Sequence, residues 1–143
     1  MKASKLSIAF VLFTAIFFSC KSGFTKVNDV KKSLVMPGVP QGQTYINYTA
    51  EIELTASAVL KGAVLQIDDK SMPLIDYSII DLTTGVIMKK DVVLPAGKYF
   101  FSARLIKQQD IDKTNDVLKL RFKTSKLETI AKKVTLGQTE FRK

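Results

Sequence analysis

The chain of 143 residues contains no histidine, no tryptophan and a single cysteine, Cys20. Without histidine there is no Ser-His-Asp or Cys-His catalytic group, no His-bound zinc and no imidazole switch near neutral pH. With one cysteine there is no internal disulfide, no Cys-pair metal site and no CxxC redox pair. No serine has a lysine three residues later, and the mature chain's glycines are isolated, so Ser-Lys nucleophiles and phosphate loops are missing as well. These absences predict a protein that is not an enzyme and holds no cofactor or metal.

The first residues have the organisation of a secretory signal peptide. Lys2 and Lys5 form a short positive region, residues 6–18 form an almost entirely apolar run, and the chain then turns small and polar at Ser19. A helix over this run would be about 20 Å long, which is short of the ~30 Å hydrocarbon core of a bilayer. The pattern therefore predicts a cleaved signal peptide over residues 1–19.

Cys20 stands two residues after the apolar run, where cleavage makes it the first residue of the mature chain. This arrangement resembles the amino terminus of bacterial lipoproteins, although Phe17 and Phe18 are bulkier than the residues usual there. In that family the cysteine sulfur receives a diacylglyceryl group, and the peptide is cut just before the cysteine. The resemblance implies cleavage between Ser19 and Cys20, acyl chains on Cys20 and a membrane anchor. A plain signal peptide and an uncleaved anchor are the alternatives.

The residues after Cys20 bear on where such a lipoprotein would be located. Some bacterial groups mark lipoproteins for surface export with an acidic cluster behind the cysteine, and residues 21–26 contain no acid. We therefore expect a cell-envelope protein on the outer membrane that faces the periplasm. Residues 21–33 lack a sustained apolar period, so 20–33 is predicted to be a lipidated flexible tether and 34–143 the folded domain.

The folded region shows repeated alternation of apolar and polar residues, which is typical of half-buried strands. In the clearest strand, Thr44 to Ala56, one face is apolar and the other carries Glu51 and Glu53 toward solvent. Further strands are predicted at 34–36, 63–67, 74–82, 86–90 or 86–94, 98–106, 117–123 and 129–136. Seven or eight short strands separated by turns predict an all-β antiparallel sandwich.

One turn indicates which type of sandwich the chain forms. Residues 94–101 read Leu-Pro-Ala-Gly-Lys-Tyr-Phe-Phe, which resembles the turn before the penultimate core strand of immunoglobulin-like and fibronectin-like domains. In those domains a tyrosine two residues after a glycine hydrogen-bonds backbone and closes the corner. The resemblance implies this role for Tyr99, and a plain strand aromatic is the alternative.

The basic charge of the chain is concentrated at its carboxyl-terminal end. The formal net charge is +9; residues 33–116 hold 8 basic and 10 acidic residues, whereas residues 117–143 hold 8 basic and 2 acidic residues. The candidate face for an anionic partner consists of Lys119, Arg121, Lys123, Lys132 and Lys133. Export and the lack of interleaved exposed aromatics argue against nucleic acid. An envelope protein, an anionic glycan or lipid headgroups are the candidate partners, and a solvated face with protective edge lysines is the alternative.

The function expected from these features is a lipid-anchored envelope protein that binds or scaffolds without catalysis. The alternative is a carbohydrate- or calcium-binding accessory domain. The oxygen-rich segment 108–116 is the calcium candidate, but a helix–loop–helix site counted from Asp110 needs Gly and Glu where the chain has Asn115 and Arg121. A solvated turn is the simpler interpretation of this segment.

Overall fold

The computed structural model describes residues 23–107 and 113–142. Within these two ranges the chain forms twelve strands and no helix. The eight longer strands are β1 (Thr25–Met36), β2 (Tyr45–Leu54), β3 (Ala58–Ile67), β4 (Lys70–Pro73), β5 (Tyr77–Asp81), β8 (Gly97–Ile106), β9 (Asp116–Lys123) and β10 (Leu127–Lys133). Four strands have two residues each: β6 (Ile87–Met88), β7 (Val93–Leu94), β11 (Thr135–Leu136) and β12 (Glu140–Phe141).

The strands form two sheets. The first sheet has the order β11-β1-β2-β8-β5-β6, with β12 also pairing with β1. The second sheet has the order β10-β9-β3-β4, with β7 pairing with β3. When the eight longer strands are lettered A, B, C, C′, D, E, F and G along the chain, the sheets read A-B-E-D and C′-C-F-G, the immunoglobulin arrangement. The predicted all-β antiparallel sandwich is confirmed, with the four short strands in addition.

The hydrophobic core lies between the sheets and consists of alternate residues from the central strands. The apolar face predicted for Thr44 to Ala56 is buried in β2, and so is the predicted inner face of β9. The largest buried apolar side chains include Tyr48, Tyr99, Phe101, Phe122, Ile52, Leu65, Leu118 and Leu120. Each full burial of such a side chain contributes about 1.5–3 kcal/mol, so this core accounts for most of the stabilisation of the sandwich.

Residues 25–33 belong to β1, so the prediction of a flexible tether over this part of the chain is wrong. The strand begins at Thr25 and pairs with β2 along its length, and Val27 and Val30 are buried. The sequence hides this strand because a β-bulge lies between Asn28 and Lys31, where Asp29 has a positive φ of 48°. The bulge breaks the period of two that identifies a strand.

Several other strand boundaries differ from the prediction. β3 begins at Ala58, five residues before the predicted start. The sequence pattern does not reveal these first residues because a bulge between Leu60 and Gly62 interrupts the alternation. The predicted strand 74–82 is shorter, since β5 covers Tyr77–Asp81, and the segment 86–94 is divided between β6 and β7 in different sheets. The predicted strand 129–136 is likewise divided between β10 and β11, which lie in different sheets.

The tyrosine corner predicted at Tyr99 is present. The Tyr99 hydroxyl donates a hydrogen bond to the carbonyl oxygen of Pro95 at 2.7 Å, and the ring is buried. Its strand, β8, pairs with β2 and β5 and is followed by two more long strands. The corner therefore closes the turn before strand E, and the prediction that this strand is the penultimate one is wrong.

Candidate functional site

The outer face of the second sheet carries a row of basic side chains, here called the basic face and consisting of Lys119, Arg121, Lys123 and Lys133. The first three alternate with buried apolar residues along β9, as predicted. Lys133 lies on β10 opposite Val117, whose side chain is on the same side of the sheet as these three residues. Because side chains two apart on a strand share one side of the sheet, the four cations project from the same surface.

The neighbours of the basic face in the sheet are uncharged. The residues in register with its three β9 cations are Leu127, Thr129 and Ala131 on β10 and Val59, Gly62 and Val64 on β3. Within residues 23–107 and 113–142, no carboxylate forms an ion pair with any of the four cations. The face therefore presents several positive charges that have no anionic partner in the described part of the fold.

The structure does not place Lys132 on the basic face. Lys132 pairs with the inward-facing Leu118, so its side chain starts from the opposite side of β10. It remains exposed because β10 is the edge strand of the second sheet. Lysines on an edge strand also discourage pairing with another chain, so this position fits the alternative of a protective charge.

A buried polar cluster links the two sheets, and sequence reasoning missed it. Lys32 Nζ lies 3.1 Å from Asp116 Oδ2, and the two side chains are 4% and 0% exposed. The Tyr48 hydroxyl donates a hydrogen bond to the same carboxylate oxygen at 2.7 Å. Lys32 also donates to the carbonyl oxygen and the hydroxyl of Thr114, at 3.0 and 2.8 Å. Lys32 and Tyr48 are in register on β1 and β2, whereas Asp116 begins β9 in the other sheet.

The environment of the cluster keeps Tyr48 protonated. Burial, the hydrogen bond to Asp116 and the charge of that carboxylate all raise the pKa of Tyr48 far above its ordinary value. The second carboxylate oxygen, Oδ1 of Asp116, is buried without a hydrogen-bond partner among the described residues. Because the charged groups are enclosed, a substrate has no access to them. The cluster is a structural tie between the sheets.

The signal for this cluster in the sequence was weak. Lys32 falls in the segment predicted as a tether, and Asp116 ends the segment predicted as a polar loop. Tyr48 falls on the apolar face of the predicted strand Thr44 to Ala56, where an aromatic side chain is ordinary. A charged residue that interrupts an otherwise inward-facing row, as Lys32 does next to Leu34, is the one clue available before the strand itself is known.

The calcium candidate falls mostly outside the described residues, since 108–112 are not among them. Asp68, another acidic turn residue, accepts the backbone N–H of Asn115 at 2.9 Å and has a positive φ of 49°. Its carboxylate thus joins the β3–β4 turn to the segment before β9. Among the residues that the structure describes, no group of three or more metal-ligating side chains is assembled.

Glu51 and Glu53 lie on the outer face of the first sheet, where the sequence places them. They line a hollow of 140 Å³ with Asn28, Leu82 and Lys98. Ligand pockets in proteins usually measure about 300–1,000 Å³, so this hollow is too small to enclose a substrate. Solvated carboxylates are the appropriate description of this pair.

The predicted lipid-attachment residue Cys20 and the predicted cleavage residue Ser19 lie outside the described residues. In the described part of the chain, no helix has the length and apolarity needed to cross a bilayer. Neither a scan against protein-family models nor a search of curated proteins finds a match for this chain.

Proposed function

We propose that the chain is a lipid-anchored binding module of a bacterial cell envelope, without catalytic activity. In this proposal acyl chains on Cys20 hold it on the outer membrane, facing the periplasm. The basic face of the second sheet then binds an anionic partner, such as an acidic protein surface or an acidic glycan of the envelope.

The observation that carries the binding proposal is the row of cations on a rigid sheet, which have no anionic partner among the described residues. Lys119, Arg121 and Lys123 are held in one row because the alternate residues of β9 are fixed in the core. Their register neighbours supply no competing carboxylate. A fixed row of one sign attracts an oppositely charged surface and orients it, at a small entropic cost because the backbone is already ordered.

The anchor proposal is supported by the residues around Cys20 and by the energetics of acyl chains. Burial of each CH₂ group contributes about 0.8 kcal/mol, so a single chain binds a membrane only marginally, whereas two or three chains hold a protein there. A cysteine that carries several acyl chains also leaves the mature protein without a free thiol.

The proposal that the module is not catalytic is supported by the chain's chemistry. The sequence has no histidine. The buried ion pair of Lys32 and Asp116 is sealed between the sheets.

Site-specific photo-crosslinking in living cells tests the binding proposal. A photoreactive residue at Thr129, which is exposed beside Arg121, should capture a partner. The same residue at Glu51, on the outer face of the first sheet, is the matched position that should not capture it.

Charge reversal identifies the interaction as electrostatic. The pair Lys119→Glu and Arg121→Glu should abolish the crosslink, whereas Lys70→Glu and Lys89→Glu, at exposed lysines elsewhere, should leave it intact. Crosslinks at Thr129 that survive reversal of the basic face would overturn the proposal. Equal capture of the same species from Glu51 would do so as well.

A further inference from the structure

We propose that one end of the sandwich rests on the bilayer and contacts its anionic headgroups, an inference that rests on the proposed anchor at Cys20. This end, here called the anchor end, consists of the chain segments and turns that lie beside the start of β1. Together with the strand residues that flank them, they are residues 23–26, 53–57, 81–85, 95–98 and 123–128.

The length of chain between Cys20 and the folded domain limits how far the domain can lie from the bilayer. Because β1 begins at Thr25, five peptide steps separate it from Cys20, and these reach ~18 Å at full extension. A strand of ten residues such as β8 is ~34 Å long. The anchor end is therefore held within a short distance of the headgroups, whereas the opposite end lies about one strand length farther from the point of attachment.

Hydrogen bonds and register show that the segments of the anchor end lie together. Thr55 donates its backbone N–H to the carbonyl oxygen of Phe24 at 2.9 Å. Leu82 donates to the carbonyl oxygen of Lys98 at 3.0 Å, which places the 82–85 turn beside the start of β8. A methyl group added to Gly23 would lie 3.8 Å from the Glu128 carboxylate, so the entering chain lies close to β10.

The anchor end exposes large apolar side chains from three different elements. Phe24 is 56% exposed, Leu82 is 49% exposed and Leu127 is 55% exposed. Exposed apolar residues with lysines among them are the combination that favours the interfacial region of a membrane. The short connection to Cys20 holds these residues close to that region. The opposite end also exposes apolar side chains, such as Val39, Ile75 and Phe141, so the short connection decides which end meets the bilayer.

The charges of the anchor end favour an anionic surface by a small margin. Its lysines are Lys26, Lys98, Lys123 and Lys126, and its acids are Glu53, Asp81 and Glu128. The Asp81 carboxylate is occupied by the backbone N–H groups of Thr83 and Thr84. With that carboxylate engaged, the lysines of the anchor end outnumber its remaining acids, Glu53 and Glu128.

Fluorescence quenching on the full-length lipidated protein in vesicles tests the orientation. Since Cys20 is acylated, single cysteines can be labelled at Ser125 and Thr83 in the anchor end and at Gln41 and Thr139 at the opposite end. A nitroxide on the lipid headgroup should quench the first two labels strongly and leave the last two unquenched. A water-soluble quencher should give the reverse order.

Three outcomes would overturn the inference. Equal quenching at both ends shows a domain without fixed orientation, and stronger quenching at Gln41 shows the inverted one. Quenching of a label at Thr129 as strong as that at Ser125 shows a domain lying flat on its basic face. In the same preparations, retention of the wild-type chain and release of Cys20→Ala report on the anchor alone, so failure of the anchor and failure of the orientation are distinguishable.

The lysines are tested by lipid composition and by paired variants. Quenching of the Ser125 label should be stronger in vesicles that contain phosphatidylglycerol than in phosphatidylcholine vesicles. The variants Lys98→Gln and Lys126→Gln together should reduce that difference. The matched pair Lys70→Gln and Lys107→Gln, outside the anchor end, should leave it unchanged. Quenching that is independent of lipid charge would overturn the choice of anionic headgroups as the partner.

Discussion

Lys32 on the first strand and Asp116 on the ninth strand form an ion pair that crosses the interior of the sandwich, with 3.1 Å between Nζ and Oδ2. Tyr48 completes the link from the neighbouring strand through its hydrogen bond to Asp116. The pair joins β1, which the sequence pattern does not reveal as a strand, to β9, which it reveals clearly. The first strand is therefore tied to the second sheet through the interior of the fold.

Two adjacent lysines of β1 should respond very differently to the same substitution. Lys32→Gln leaves Asp116 buried without its counter-ion, which should lower the free energy of unfolding by about 3–5 kcal/mol. Lys31 pairs with Asp29 at 2.6 Å, but both side chains are about half exposed. Lys31→Gln should therefore cost less than about 1 kcal/mol. Urea unfolding followed by circular dichroism measures both values.

The same measurement separates the ion pair from general sensitivity of the position. The double variant Lys32→Met with Asp116→Leu removes both charges and should recover much of the stability lost in Lys32→Gln. If Lys32→Gln and Lys31→Gln are equally mild, the buried pair does not stabilise this fold.

Tyr48 should make the protein sensitive to alkali. Burial and Asp116 raise its pKa above the ordinary value of 10.0, so the unfolded chain loses this proton at a lower pH than the folded chain. The stabilisation is complete below pH 10 and is lost as pH rises beyond it, because the folded state then binds more protons than the unfolded state. The free energy of unfolding of wild type should fall more steeply above pH 10 than that of Tyr48→Phe.

A control variant isolates the contribution of Tyr48 from that of other tyrosines. Tyr99 also has a raised pKa, caused by burial and by Asp81. At neutral pH, Tyr99→Phe removes a hydrogen bond to a neutral carbonyl and should cost about 0.5–1.5 kcal/mol, whereas Tyr48→Phe removes one to a carboxylate and should cost about 1.5–3 kcal/mol. A Tyr48→Phe profile parallel to wild type above pH 10 would contradict the prediction.

Two glycines should differ in their tolerance of a methyl group. At Gly42, in the loop after β1, an added Cβ would lie 2.1 Å from the Cβ of Pro37, so Gly42→Ala must displace the loop. We expect a loss of about 1–3 kcal/mol. At Gly62 nothing lies within 4 Å of an added Cβ, and Gly62→Ala should be neutral or stabilising by up to about 1 kcal/mol. Thermal unfolding of the two variants compares them, and equal melting temperatures would contradict this packing.

Removal of the proposed acylation site should release the protein from the membrane. Cys20→Ala should yield an unprocessed precursor or a soluble chain, whereas Ser22→Ala, two residues away, should remain in the membrane fraction after a carbonate wash. The physical reason is that the acyl chains provide the main membrane affinity. Mass spectrometry of the mature amino terminus identifies the lipid. A processed Cys20→Ala chain that is retained like wild type would refute lipidation.

The central strands were predictable from the sequence because their alternation is uninterrupted. The strand around Ile46 to Leu54 and the strand around Leu118 to Phe122 each have one apolar face, and a sandwich requires such strands. The corner at Tyr99 was predictable from its glycine and proline neighbours. Its place in the topology was not, because the order of strands depends on pairings between distant segments.

The missed features share one physical cause: local irregularity that only the tertiary structure compensates. The bulge at Asp29 shifts the period of β1, and the charge of Lys32 looks unsuitable for an interior position until Asp116 is seen beside it. On the basic face, spacing along β9 correctly groups Lys119, Arg121 and Lys123. It could not assign Lys132 and Lys133 to opposite sides, since that depends on the register between β10 and β9.

The pairing of β1 has a mechanical consequence. This strand is bonded to β2 on one side and to β11 and β12 on the other, and the parallel partners come from the carboxyl-terminal end of the chain. Ladder hydrogen bonds run across the strands, so a pull on Thr25 directed along β1 loads many of them together in shear, whereas a sideways pull would break them one after another. A pulling force applied at the amino-terminal end would therefore not extract the first strand until many of its inter-strand hydrogen bonds break together.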